Sequence, residues 1–108
     1  MTSNESREIV VYRTFKDFYP FYLVQHSNRI NRRLHFVGTS LALLTLGYSL
    51  YARNPNFILL ALVLGYGFAW VGHFFFEKNR PATFKYPVFS LRGDMVMWKS
   101  MITGKLKI

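Results

Sequence analysis

Histidine occurs three times in this chain, as His26, His35 and His73. His73 opens the stretch HFFFEKNR, in which Glu77 follows four residues later, at the end of a long apolar run. Imidazole nitrogens bind iron, zinc, copper and nickel, and two or three histidines plus a carboxylate with open positions suit non-haem Fe(II) oxygen chemistry. Polar side chains at membrane depth are costly in lipid and usually functional. One such histidine alone reads as an interhelical hydrogen-bonder. All three together, with Glu77, Asn28 and Asn31 nearby, read as the composition of a metal site. The chain has no cysteine, which removes thiol nucleophiles, zinc knuckles and disulfides. Its Gly65-x-Gly67 lies inside an apolar run and offers no phosphate loop, and no Ser-His-Asp arrangement suggests itself. The histidine clusters of membrane desaturases need far more than three histidines.

Two elements must position these residues. Residues 34–52 and 57–76 are apolar runs close to the roughly 20 residues that cross a bilayer. The short link Arg53-Asn54-Pro55-Asn56 is a turn with proline suited to the first turn of a helix, so the runs form an antiparallel hairpin. His35 precedes Asn54 by as many residues as His73 follows it, about 28 Å up each helix at about 1.5 Å per residue, so the two sit at one depth. Asn28, Asn31, Gly38, Thr39 and Ala42 surround His35 at helical spacing, and Gly65, Ala69, Gly72 and Glu77 surround His73. Small residues of this kind let membrane helices approach closely, which places both histidines beside the seam. His26 comes from the preceding segment. A turn at Ser27-Asn28, with Asn28 as cap of the next helix, would fold it back to the mouth of the hairpin; on one unbroken helix it would face away from His35.

The fold expected is therefore all-α: a membrane helical hairpin of two spans, with an N-terminal helix and a C-terminal amphipathic interfacial helix. Residues 1–12 read as a flexible tail without the features of a signal peptide, and 13–108 as one membrane-embedded domain. The segment Arg13–Asn28 is expected as a helix interrupted near Pro20, NRPATFKYP as irregular, and Ser90–Leu106 as a helix on the membrane surface with Met95, Met97, Trp98, Met101 and Ile102 as its apolar side. The formal net charge is +9. Arg29, Arg32, Arg33, Lys78, Arg80 and Lys85 flank the span ends opposite the turn, which carries Arg53 alone, so both termini are expected on the cytoplasmic side. This placement accounts for most of the charge without nucleic acid. Glu77 and Arg80 are the candidates for catalytic work. Glu77 could pair with Lys78 or Arg80, ligate the metal, or orient His73, and the orienting role is preferred. Arg80 is an anchor of the span, or a fork that receives a carboxylate head group. Tyr66 and Trp70 read as packing, or as the lining of an acyl-chain channel.

The segments FYLVQHSNRINRRLHFVGT and GHFFFEKNRPATFKYPVFSLRGDMVMW resemble a family of small integral membrane proteins whose studied fungal member is an iron-dependent 2-hydroxy fatty acid dioxygenase of phytosphingosine degradation, at the endoplasmic reticulum. The likeness runs from about Tyr12 to Leu106. It implies fatty acid α-oxidation: a long-chain 2-hydroxy fatty acid reacts with molecular oxygen at Fe(II), loses its carboxyl carbon and leaves an acid one carbon shorter. It also implies that His26, His35 and His73 hold the iron, that Glu77, Asn79 and Arg80 form the polar motif, and that Asp94 belongs to a Gly-Asp pair. Asn28, Asn31, Asn79 and Asp94 are then candidates for supporting the ligands or meeting the substrate. An α-hydroxy carboxylate can chelate a metal through two oxygens while its chain stays in lipid. The membrane implied is the endoplasmic reticulum in a eukaryote or the inner membrane in a bacterium; no oligomeric state follows. Two other classes fit the residues: a haem or electron-transfer protein ligated by two facing histidines, and a metal-free lipid-binding protein.

Overall fold

The computed structural model describes residues 11–108, so the expected tail falls almost wholly outside the described residues. Tyr12, the last residue assigned to it, is packed: its ring stacks on Phe21 at 5.0 Å, and its N–H donates to the Tyr86 hydroxyl at 3.1 Å. The described residues form four α-helices and no strand.

Helix α1 is Phe15–Val24, capped by Thr14, whose hydroxyl accepts from the Asp17 N–H. It is continuous through Pro20, against the expected break. Proline removes one backbone bond and crowds the preceding turn. Here burial offsets that cost, because Phe18 and Tyr22, one turn apart, are fully enclosed. Phe18, Tyr22, Ala82, Met97 and Met101 form a core against which most of the chain's other N-terminal aromatics pack.

Helix α2, Arg29–Ala52, starts on Asn28, whose side chain accepts from the N–H groups of Ile30 and Asn31. The cap is the one its sequence signals. Arg53 closes the helix in the left-handed region at φ 53°, and the Ser49 hydroxyl donates to the Asn54 carbonyl at 2.6 Å, which fixes the turn. Helix α3, Asn56–Val71, returns antiparallel and runs into a π-helical segment, Gly72–Glu77. Small residues set the seam: a Cβ on Gly38 would stand 2.7 Å from Phe68 Cβ, and one on Gly65 would meet Ala42 Cβ at 3.5 Å. Each arm is long and apolar enough to cross a membrane. Their outer faces are open, with Leu50 and Tyr51 81% and 86% exposed and Leu44 and Leu59 72% and 69%. The core helices of a soluble domain would bury such residues.

After the hairpin, the stretch expected as irregular contains one 3₁₀ turn, Ala82–Phe84. Helix α4 is Pro87–Ile102, starting and ending a few residues before the expected bounds because Pro87 takes a first-turn position. Its buried stripe is Ser90, Gly93, Met97 and Met101, while Met95 and Ile102 of the expected apolar side are exposed. Gly93 selects this face. A Cβ there would lie 3.0 Å from the Tyr22 ring, so the missing side chain is the seat of that ring. Trp98 donates to the Ser40 hydroxyl at 2.9 Å and ties α4 to α2.

Candidate metal centre

Helix α1 carries Phe18 and Tyr22 along its buried side, and His26, in the turn just past its end at Val24, continues that line into the hairpin. Arg32 of α2 donates to the carbonyls of His26 and Ser27 at this end. The chain turns at Ser27, as expected, and His26 enters between His35 and His73. All three are buried, at 1%, 4% and 2% exposure. The rings stand edge to face, with centroids 4.4, 4.5 and 4.9 Å apart. His26 Nε2 lies 3.1 Å from His35 Nε2 and 3.0 Å from His73 Nε2.

The other ring nitrogens fix the protons. His26 Nδ1 faces the Tyr22 carbonyl at 2.6 Å, and His35 Nδ1 faces the Asn31 carbonyl at 3.0 Å. Both oxygens only accept, so both nitrogens donate. His73 Nδ1 meets Asn79 Oδ1 at 2.6 Å, and Asn79 Nδ2 donates to the Gln25 carbonyl at 3.2 Å, which settles which end of the amide is oxygen. Each imidazole therefore holds its proton on Nδ1, and the three Nε2 lone pairs converge with no proton among them. Burial first, and then His35 and His73, push His26 down to about 2, so an added proton is a poor guest. A cation resolves the conflict. Nitrogens about 2.1 Å from one ion and at right angles lie about 3.0 Å apart, which matches the two separations. The three ligand nitrogens all lie within 4.8 Å of one another. Imidazoles on opposite faces of a porphyrin would have centroids about 6 Å apart, so His35 and His73 leave no room for haem between them.

The expected partners divide. Glu77 does not orient His73; Asn79 does. The spacing of four residues assumes an α-helix, but Gly72–Glu77 is π-helical, the form in which helices commonly accommodate a functional site. Lys78 follows at φ 59°, and Asn79 folds back with its N–H on the His73 carbonyl at 3.0 Å. Glu77 turns instead to the start of α2, where it accepts from Ser27 Oγ, the Asn28 N–H and Asn31 Nδ2 at 3.0, 2.8 and 3.1 Å. A carboxylate unfavourable at its own helix end thus sits at the positive end of a neighbour. Asn28 and Asn31 serve this junction, and Asn31 also supplies the carbonyl that holds His35. Gly72 makes the junction possible, since a Cβ there would collide with Asn31 Oδ1. Arg80 is exposed and makes no ion pair or hydrogen bond among the described residues. No carboxylate joins the histidines among the described residues.

Tyr22 is the residue the sequence did not mark. Its ring stacks on His26 at 4.0 Å, and its hydroxyl donates to Asp94 Oδ1. Burial pushes Asp94 up to about 7, against the lowering effect of that hydroxyl. Burial and the neighbouring Asp94 raise Tyr22 well above the usual phenol range. Only the aromatic at the turn before His26 could have signalled this, and its partner is on a distant helix.

A family model described as 2-hydroxy-palmitic acid dioxygenase Mpo1-like matches residues 12–106. Neither a curated protein nor a solved structure matches the chain.

Proposed function

We propose, for a chain that belongs to the Mpo1-like 2-hydroxy-palmitic acid dioxygenase family, that it is an integral membrane Fe(II)-dependent dioxygenase that removes the carboxyl carbon of long-chain 2-hydroxy fatty acids. The observation that carries this is the convergence of three buried Nε2 lone pairs, each fixed by a proton donated from Nδ1. His26, His35 and His73 would hold the iron, which when bound supplies oxygen activation.

The protein's own part is positional. The Tyr22, Asn31 and Asn79 oxygens hold the three rings at fixed tautomer and angle. Glu77 locks the π segment to the start of α2 and so holds His73 in register with His35. Burial keeps bulk water from the Nε2 atoms. Asp94, which lines the cavity beside the histidines, would meet the substrate's polar end, and Arg80, exposed nearby in sequence, would attract its carboxylate. The two apolar arms lie in lipid. Basic residues at the histidine end, against Arg53 alone at the turn, favour the cytoplasmic side for both termini.

Purified protein without a polyhistidine tag tests the reaction. It is supplied with Fe(II), oxygen and a long-chain 2-hydroxy fatty acid, and mass spectrometry follows the acid one carbon shorter, beside His73→Ala. Product from the parent protein alone is expected. A folded, iron-loaded protein that forms none refutes the substrate, and a folded protein that binds no iron refutes the enzyme.

A further inference from the structure

Two cavities meet at the histidines. The smaller, about 10 Å³, has His26, His35 and His73 on one side and Ser90 and Asp94 on another. The larger, about 150 Å³, starts at His35 and Asp94 and follows the α2–α3 seam past Ala42 and Gly65 to Leu46, Ala61 and Leu62. His35, Tyr66, Ala69 and Asp94 line both, so the two spaces adjoin. Its polarity changes along its length. At the histidine end Ser90 Oγ is buried without a partner, a group that calls for a ligand atom. Beyond Thr39 and Tyr66 the walls are aliphatic.

We propose that the larger groove binds one acyl chain, with its carboxyl end at the mouth of the small cavity, facing Ser90 and Asp94, and that Leu46 and Leu62 at the far end set the chain length that fits. Small residues at the seam create the trough, because Ala42, Ala61, Gly65 and Ala69 leave the space a larger side chain would fill. Leu91 and Met95 of α4 flank it. His35 and Leu46 are about three helical turns apart, about 16 Å. A saturated chain with bonds of about 1.5 Å advances about 1.3 Å per carbon, so about a dozen carbons lie between the two ends. A polar head at one end and a purely apolar body select an amphiphile with a single chain. That the head is a 2-hydroxy carboxylate rests on the dioxygenase function proposed above; the chain site does not.

The test uses a saturated fatty acid with a diazirine at its terminal carbon, with and without a 2-hydroxyl. It is photolysed on the full detergent-purified chain, and the label is mapped by mass spectrometry. Label is expected on Leu46, Leu62 and their groove neighbours. Leu46→Trp and Leu62→Trp enlarge residues that are already partly exposed, so they block the far end without entering the core. They should displace the label and weaken binding of the long chain about fourfold for each methylene excluded. In turnover they should shorten the preferred chain by about two or three carbons, the reach an indole adds to a leucine. Leu50→Trp, on the outer face, should change neither. Label spread over Leu44, Leu50, Tyr51 and Leu59, indifferent to both groove substitutions, overturns the groove even where the parent protein turns substrate over. Label in the groove without turnover by the iron-loaded protein upholds the groove and refutes the 2-hydroxy acid as substrate.

Discussion

At the histidine end of the α2–α3 hairpin, Asn31, His35 and His73 are buried together, whereas toward the turn Leu44, Leu50, Leu59 and Val63 lie exposed. The same two arms thus bury a cluster of polar groups at one end, while the turn end buries only the polar Ser49, and show apolar side chains on the outer faces of both. A bilayer around the arms would explain the second half, since an apolar flank has no reason to hide from lipid. Chemistry explains the first, since buried polar groups persist only where hydrogen bonds fix them. The glycines divide by the face they occupy. Gly38 and Gly72 leave no space for a Cβ, and Gly47 and Gly67 have nothing within 4 Å of one. One end is built to a single geometry and the other needs only to be apolar.

The sharpest way to break the contrast is to remove a ligand. His35→Ala or His73→Ala should reduce bound metal below about a tenth of the parent level, measured by elemental analysis, and abolish product. Retained metal in either variant would remove the histidines from the metal site. Next, Gly38→Ala and Gly72→Ala should each destabilise by about 1–3 kcal/mol through overpacking against Phe68 and Asn31. Reversible unfolding in detergent measures this, and unchanged stability would mean the close approach is not rigid. Asn79→Ala should weaken metal binding about 10- to 100-fold with the hairpin intact, as expected for loss of a group that orients a ligand. Glu77→Gln should weaken metal binding less than Asn79→Ala does, because Glu77 acts on His73 only through the π segment and the start of α2, whereas Asn79 touches the ring.

Metal-free protein should also show two opposed pH slopes. His26 is pushed from 6.5 to about 2, so between these values the unfolded chain binds a proton that the folded chain refuses. Stability therefore rises with pH across that window and is complete above about 6.5. Asp94 is held at about 7 against 3.8, so the folded chain keeps a proton the unfolded one releases, and stability falls as pH rises from 3.8 to 7. Asp94→Asn should erase the second slope and leave the first, with a gain on the order of 1 kcal/mol at pH 8. A pH profile identical to that of the parent protein would show that Asp94 is not held protonated. The smallest effect belongs to the turn end: Gly47→Ala, open on all sides, should stabilise by at most about 1 kcal/mol through helix propensity. A loss there instead would reveal a contact on the outer face.

Much of this could be read along the chain. Two apolar runs, a four-residue turn and the equal distances of His35 and His73 from Asn54 place the two rings at one depth, because helical rise is uniform. Asn28 announced its cap by type. Glu77 was misread because a spacing of four carries meaning only on an α-helix, and the π segment changes which side chain turns inward. Pro20 was misread because local propensity gave way to the burial of Phe18 and Tyr22.

By itself the sequence determined the hairpin, the depth of two histidines and the lack of any cysteine or fourth histidine, since periodicity, length and composition are properties of one chain segment at a time. The tertiary structure alone decided that His26 completes the cluster, that Asn79 and not Glu77 holds His73, and that Tyr22 meets Asp94 across α4. The first and third are pairings between separate helices, and the second needs the π segment and the reversal at Lys78. They depend on where helices end and how closely glycine lets them approach, and no single segment encodes either.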